Sequence, residues 1–263
     1  MTTAASIRRL APRALQHPVL LALAIAVATL AFSPRVRHAD AAPNPPNPPN
    51  PPRARIVSFD FARGAQGWVG DFADYPAGSE AFYELEAGIA PLPDDLRGGA
   101  TALRLRGNNH SDDLFLFARG PVDGLVPGAK YDVRVNLVIA SAAPAGAVGI
   151  GGAPGEGVSM KAGATTGEPT TWVDRGFVLL DADKGNQSTG GANATVIGDL
   201  AVATTLDAPR FKLKRLAWGR RPALQVTADA TGRAWLFAGA DSGFEGTTTL
   251  YLVRAKARFV RVD

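Results

Sequence analysis

From Ile56 to Val262 strand-like runs alternate with turn clusters, and in several runs apolar and polar residues follow a period of two that sends successive side chains to opposite faces of a strand. The longest such run is Tyr131-Asp132-Val133-Arg134-Val135-Asn136-Leu137-Val138-Ile139. Ala102-Leu103-Arg104-Leu105-Arg106 repeats the pattern with arginines opposite the leucines, which predicts one buried face and one wet face. Leu114-Phe115-Leu116-Phe117 is apolar throughout, as in a central strand covered on both sides. Further strands are predicted at 56–61, 172–180, 210–218, 223–228, 234–239 and 247–261. No segment carries a long helical period. Around ten short strands separated by Gly, Pro, Asn and Asp predict an all-β protein, an antiparallel sandwich of the jelly-roll kind.

The stretch 140–168 is glycine-rich and breaks the alternation, so a long loop over one face of the sandwich is expected there. It contains Gly149-Ile150-Gly151-Gly152-Ala153-Pro154-Gly155-Glu156-Gly157, which superficially matches a dinucleotide fingerprint. Such a fingerprint needs a helix N-terminus to receive the pyrophosphate, and Pro154 among flanking glycines opens none.

Phe59-Asp60-Phe61 followed by Gly64 and Gln66-Gly67-Trp68 resembles the first strand of galactose-binding-like and carbohydrate-binding-module sandwiches, with their F-x-F…G-W pattern. Gly124-Leu125-Val126-Pro127-Gly128-Ala129-Lys130-Tyr131 is similar to their middle turn, G-L-x-P-G-x-x-Y, and Thr249-Leu250-Tyr251-Leu252 to their last strand. The resemblance leaves out the stretch from Ala140 to about Asp207. It implies a jelly-roll fold that binds carbohydrate. Val253 and Arg254 stand where those modules commonly carry an acidic residue that helps hold a structural calcium, a departure from the family pattern.

Composition changes this picture at the N-terminus. The chain has 263 residues with 28 Lys plus Arg, 24 Asp plus Glu and no cysteine, so disulfides, thiolate metal sites and a cysteine nucleophile are excluded. Arg8, Arg9, Arg13, Arg35, Arg37 and Asp40 all precede Arg53; removing these five arginines and one aspartate leaves 23 basic and 23 acidic residues in the body. The pI of about 9.6 therefore reports on the leader. Residues 1–41 read as a signal peptide or an N-terminal anchor: a basic start, an uncharged run from Val19 to Phe32, and Ala39-Asp40-Ala41 as an A-x-A-like cleavage site. That run of about 14 residues falls short of the ~20 that span a bilayer, which favours export and cleavage. A retained leader would make the membrane a partner through this segment alone. Residues 42–54 form an Asn-Pro-Pro repeat, an extended polyproline II linker of roughly 3 Å per residue, and 55–263 form the β-sandwich domain.

Candidate chemistry concentrates in loops. Asn108, Asn109, His110, Asp112 and Asp113 lie in one polar cluster between two strands, suited to a sugar hydroxyl network or calcium, or simply to closing turns. His110 is the only histidine after the leader, so a multi-histidine zinc site is excluded, and neighbouring Ser111 and Asp112 cannot form a catalytic triad with it. Tyr75 and Trp172 are candidate sugar platforms, since a flat ring stacks on the C–H face of a pyranose, and Glu245 lies in a turn-rich loop before the last strand. Asp181 and Asp183 match the first and third positions of a calcium loop but lack its remaining ligands, so calcium is a possible cofactor and no other is implied. Paired carboxylates for glycoside hydrolysis could come from Asp71 with Asp74, Glu84 with Glu86, or Asp241 with Glu245.

From Arg210 to Arg221 basic residues interleave with Phe211, Leu213, Leu216 and Trp218, which predicts a strand with Lys212 and Lys214 on a solvated basic face. Nucleic acid is excluded as a partner for an exported, net-neutral domain without a recognition motif, whereas an acidic polysaccharide fits. The leading expectation is a secreted or periplasmic, non-catalytic module that binds carbohydrate or a cell-envelope polymer. A glycan-acting hydrolase or lyase and a structural or protein-interaction domain remain the alternatives.

Overall fold

In a computed structural model the described residues are 53–96 and 99–262. The expected leader and most of the Asn-Pro-Pro linker lie outside them. Fifteen strands follow one another: β1 (Ala54–Asp60), β2 (Val69–Ala73), β3 (Tyr75–Pro76), β4 (Glu86–Pro91), β5 (Thr101–Asn108), β6 (Leu114–Val122), β7 (Lys130–Ser141), β8 (Val158–Thr165), β9 (Thr171–Asp174), β10 (Phe177–Leu180), β11 (Ala194–Asp199), β12 (Lys212–Leu216), β13 (Leu224–Thr227), β14 (Ala234–Ser242) and β15 (Thr247–Arg261). They build an antiparallel sandwich. One sheet has seven strands, ordered β12-β7-β15-β5-β4, with β1 paired to the second half of β15 and β13 to the first residues of β7. The other has five, ordered β11-β8-β14-β6-β2, and a small third sheet, β3-β10-β9, accompanies it.

The alternation read from the sequence sets which side chains meet between the sheets. Tyr131, Val133, Val135, Leu137 and Ile139 of β7, and Leu103 and Leu105 of β5, enter the main core, while Asp132, Arg134 and Asn136 face outward. Phe59, Phe61 and Trp68 form edge-to-face contacts at 5.3 and 5.5 Å, so the F-x-F…G-W pattern is a packing corner. The Trp68 ring lies against Gly120, where any β-carbon would collide with it. The middle turn is closed by Tyr131, whose hydroxyl accepts a hydrogen bond from Val126 N at 2.8 Å.

Leu114-Phe115-Leu116-Phe117 is covered on both sides as its sequence predicts. Leu114 and Leu116 join the main core; Phe115 and Phe117 stack at 5.0 Å in a second core with Phe237, Ala182 and Ala194. Three expectations need correction. The stretch 140–168 is a loop only in part, because Val158–Thr165 is an inner strand of the five-stranded sheet and is buried through Ala164. Its small residues, Ala162, Gly163 and Ala164, suit close packing on both faces rather than a loop. The strand predicted over 172–180 is two strands folded at Arg175-Gly176, which both have positive φ. On β12, Lys212 is exposed as predicted, but Lys214 is turned to Asp199 and donates to Ala201 O at 2.8 Å, while Leu213, expected on the buried face, is exposed.

Candidate functional site

Three groups of polar side chains stand out: a loop end, a trough on the seven-stranded sheet, and a buried charged cluster on the five-stranded sheet.

At the loop end, Asn109 is buried and donates from Nδ2 to Ser242 O at 2.9 Å and Phe244 O at 3.1 Å, while its Oδ1 accepts from Ser111 N. Its amide thus ties the 108–113 loop to the end of β14. Asn108 donates to Glu84, and Glu84 and Glu86 are held by Arg106 and Arg104 along the β4–β5 edge. His110 lies flat against Phe82 at 4.0 Å, and its Nε2 approaches Phe82 O at 3.2 Å. Phe82 is 65% exposed, an aromatic platform that the sequence reading missed. Asp112 is exposed with φ +58° and its carbonyl accepts from Gln187 Nε2. Asp112 and Glu245 both border Gly151, whose φ of +69° and tight surroundings admit no side chain. Tyr75 is buried, 5.7 Å from Tyr83, and donates toward Glu80. Burial and the Glu80 carboxylate push its hydroxyl up to about 12. Trp172 is half exposed on β9, opposite Leu179, and is not among the contacts of this group.

Asp181 and Asp183 close turns. Asp181 accepts from Thr170 N and Oγ1, and Asp183 accepts from Gly185 N and Ala192 N, which holds its carboxyl below the usual range. Asp71 is paired with Arg119 at 2.8 Å.

The second group lies on the wet face of the seven-stranded sheet, where a trough of about 540 Å³ crosses β1, β15, β7 and β12. Register fixes its floor. Ser58 lies opposite Lys256 and Lys256 opposite Asn136; Asp60 lies opposite Arg254, Arg254 opposite Val138, and Val138 opposite Arg215. Arg63 stands at the β1 end. The cations Arg63, Arg215, Arg254 and Lys256 form no ion pair among the described residues, and Asp60, which caps Ala62 N, is the sole carboxylate in the lining. Cations therefore outnumber carboxylates four to one in the lining of the trough.

The third group lies on the outer face of the five-stranded sheet. Lys161 of β8 and Asp241 of β14 are wholly buried, with Nζ 2.7 Å from Oδ2. Lys184 Nζ reaches the same Oδ2 at 2.6 Å and Asp74 Oδ2 at 2.8 Å, and stands over the Phe115 ring. Asp113 completes the cluster, with one oxygen each of Asp74, Asp113 and Asp241 within 4.8 Å of one another. Burial, then the Asp74 and Asp241 charges, push the Asp113 carboxyl up to about 7. Burial also raises Asp74 despite Lys184. Burial lowers Lys161 more than Asp241 raises it; for Lys184 burial is outweighed by Asp241 and Asp74, which hold it above the usual lysine range. Three carboxyl groups could hold a metal, but here the Lys184 ammonium sits between two of them and takes that role.

Of the residues singled out from the sequence, Asn108, Asn109, His110, Asp112, Glu245 and Tyr75 belong to or border the loop end, and Asp113 turns inward to the buried cluster. Lys161 and Lys184 carried no signal beyond being lysines.

No protein-family model matches the chain, and no curated protein matches it. Its fold is similar to several solved sandwiches. One comes from work on the promiscuous specificity of carbohydrate-binding modules of the β-sandwich superfamily, at 14% identity and TM-score 0.36, covering 78% of this chain and 61% of that one. The chain thus spans under two thirds of that protein's length. A mannan-recognising carbohydrate-binding module matches at 12% identity and TM-score 0.38, covering 79% and 98%. The xylan-binding domain of a Paenibacillus barcinonensis protein matches at 12% and 0.35, covering 80% and 97%.

Proposed function

We propose that residues 55–263 form an exported, non-catalytic module that binds an acidic polysaccharide of the cell envelope in the trough of the seven-stranded sheet. The observation that carries this reading is the set of four unpaired cations, Arg63, Arg215, Arg254 and Lys256, around one concavity. Guanidinium groups bind carboxylate or sulfate oxygens through two parallel hydrogen bonds, and the ammonium adds a point charge. Asn136 and Ser58 supply neutral partners for hydroxyls beside them. Four strands at about 4.8 Å spacing give a floor roughly 14 Å wide, a length suited to several units of a chain lying across the strands. A non-catalytic role is supported by the carboxylates themselves: Glu84, Glu86 and Asp71 are held by arginines, and Asp74 and Asp241 by lysines. The test is affinity electrophoresis of the domain in gels containing an acidic or a neutral polysaccharide. Retardation by the acidic polymer, weakened by salt and abolished in Arg254→Ala/Lys256→Ala, is expected; equal retardation of that variant would overturn the assignment.

Exposed Phe82, stacked on His110 beside Asn108, Asp112 and Glu245, favours a second reading in which a neutral sugar packs on that ring. Binding by that route would survive high salt and fail in Phe82→Ala. Asp112→Ala and Glu245→Ala would weaken it further.

A further inference from the structure

Two lysines and three aspartates cluster on the outer face of the five-stranded sheet, with Lys161 and Asp241 wholly buried and Asp74, Asp113 and Lys184 bordering a pocket; Asp74 Oδ2 has Lys184 at 2.8 Å, and two further oxygens require an explanation. Asp241 Oδ1 and Asp113 Oδ1 are buried and receive no hydrogen bond from the described residues. Two facing acceptors are satisfied when a proton lies between them, and charge balance asks for the same: two ammonium groups against three carboxyls is neutral with one carboxyl protonated. Burial and the neighbouring Asp74 and Asp241 charges push the Asp113 carboxyl up to about 7, and one of its oxygens lies within 4.8 Å of one of Asp241. A lysine nitrogen and a carboxyl, both wholly buried, thus lie beside an acid that borders an open pocket with Asp74 and Lys184.

We infer that Lys161 and Asp241 join spontaneously in an amide bond between their side chains, cross-linking β8 to β14. The nitrogen is held in hydrogen-bond contact with the carboxyl group it would attack. Lys161 Nζ lies 2.7 Å from Asp241 Oδ2, and Cγ is one bond beyond that oxygen. The two residues sit diagonally on neighbouring strands, Lys161 opposite Gly239 and Asp241 opposite Ser159, with both side chains on one face and held by packing. Holding reactants at contact removes most of the entropic barrier to a bimolecular step.

The atoms balance without a co-reactant. The Lys161 ammonium passes one proton to Oδ2 across their hydrogen bond, which leaves a neutral amine beside a carboxylic acid. Burial favours this transfer, since it penalises the Lys161 charge. The nitrogen lone pair then forms a bond to Cγ while charge moves to Oδ1, where the Asp113 acid donates a hydrogen bond, as an oxyanion-stabilising group does. A second proton moves from nitrogen to Oδ2, the Cγ–Oδ2 bond breaks, and water leaves. Lys184, which donates to Oδ2 at 2.6 Å, supports the departing oxygen. One hydrogen remains on the amide nitrogen. Asp113 ends as it began, Lys184 and Asp74 remain an ion pair, and the enclosed site is neutral before and after.

Peptide mapping of the purified chain, unfolded and digested with trypsin, tests this. The expected product is a branched peptide that joins the Lys161 and Asp241 segments, lighter by one water than the two together and uncut after Lys161. Recovery of both segments as unmodified linear peptides would overturn the inference. Asp241→Asn is expected to give the same branched peptide, now with ammonia as the leaving group, an outcome that a plain ion pair cannot produce. Lys161→Arg keeps a cation at the position and should yield only linear peptides. Asp113→Asn retains the shape but not the acid, and should leave most of the folded protein uncross-linked; cross-linking as complete as in the unaltered chain would refute its role. Should any of the three variants fail to fold, the map of the unaltered chain decides the question alone.

Discussion

On the outer face of the five-stranded sheet, Lys161 and Asp241 are enclosed and bound to each other; on the outer face of the seven-stranded sheet, Arg254 and Lys256 project from one strand into an open trough and form no ion pair among the described residues. The difference arises from what lies on top. The small sheet and the segment around Ala182 and Ala194 accompany the first face and bury Phe115, Phe117 and Phe237 with the charges beside them. The second face is covered only locally, where Phe211 packs edge-on against Tyr251 near Leu92. A charge enclosed by protein must be neutralised by protein, and so becomes structural or reactive. A charge left in water is free to meet a ligand. Charge count alone does not distinguish the two faces.

Stability measurements sharpen this contrast. Asp241→Ala strands the Lys161 ammonium on the covered face, since Lys184 keeps Asp74, and should cost about 3–5 kcal/mol in urea unfolding. Gly163→Ala, where a β-carbon would strike the Phe237 ring, should cost about 1–3 kcal/mol through overpacking. The covered face should also respond to pH. The folded chain holds the Asp113 proton more tightly than the unfolded chain does, with a pKa of about 7 against an ordinary 3.8. The stability this supplies is complete below the ordinary value and is lost as pH rises through 7, roughly 1–2 kcal/mol after allowance for partial exposure. Melting temperature should therefore fall between pH 5 and pH 8, and Asp113→Asn should flatten that slope. On the open face, Arg254→Ala should change stability by no more than about 0.5 kcal/mol at any pH. A large loss there, or none for Asp241→Ala, would erase the contrast.

The sequence was most readable where one side of a strand is wet. Leu103 and Leu105 against Arg104 and Arg106, and the long alternation from Tyr131 to Ile139, assign their faces without any knowledge of neighbours. It was least readable in β8, where burial on both faces removes the period and close packing selects Ala and Gly, the same residues that mark loops. The buried cluster was hidden for another reason. Its members come from the start of β6, the ends of β2 and β14, the middle of β8 and a turn after β10, and only the order β8-β14-β6-β2 brings them together. Asp74, Asp113 and Asp241 each drew notice as carboxylates, but nothing local linked them to Lys161 or Lys184. The trough has the same origin: Arg254 and Arg215 meet because both strands flank β7.

The pairing of β1 with β15 has a mechanical consequence. Residues 54–60 lie antiparallel to 254–260 in unbroken register, and Asp60 meets Arg254 at the trough. A load applied to the chain before Ala54, opposed by a polymer gripped at Arg254 and Lys256, runs along the axis of β1. It meets all the rungs of that ladder side by side, so they share the force in shear rather than opening one after another like a zip.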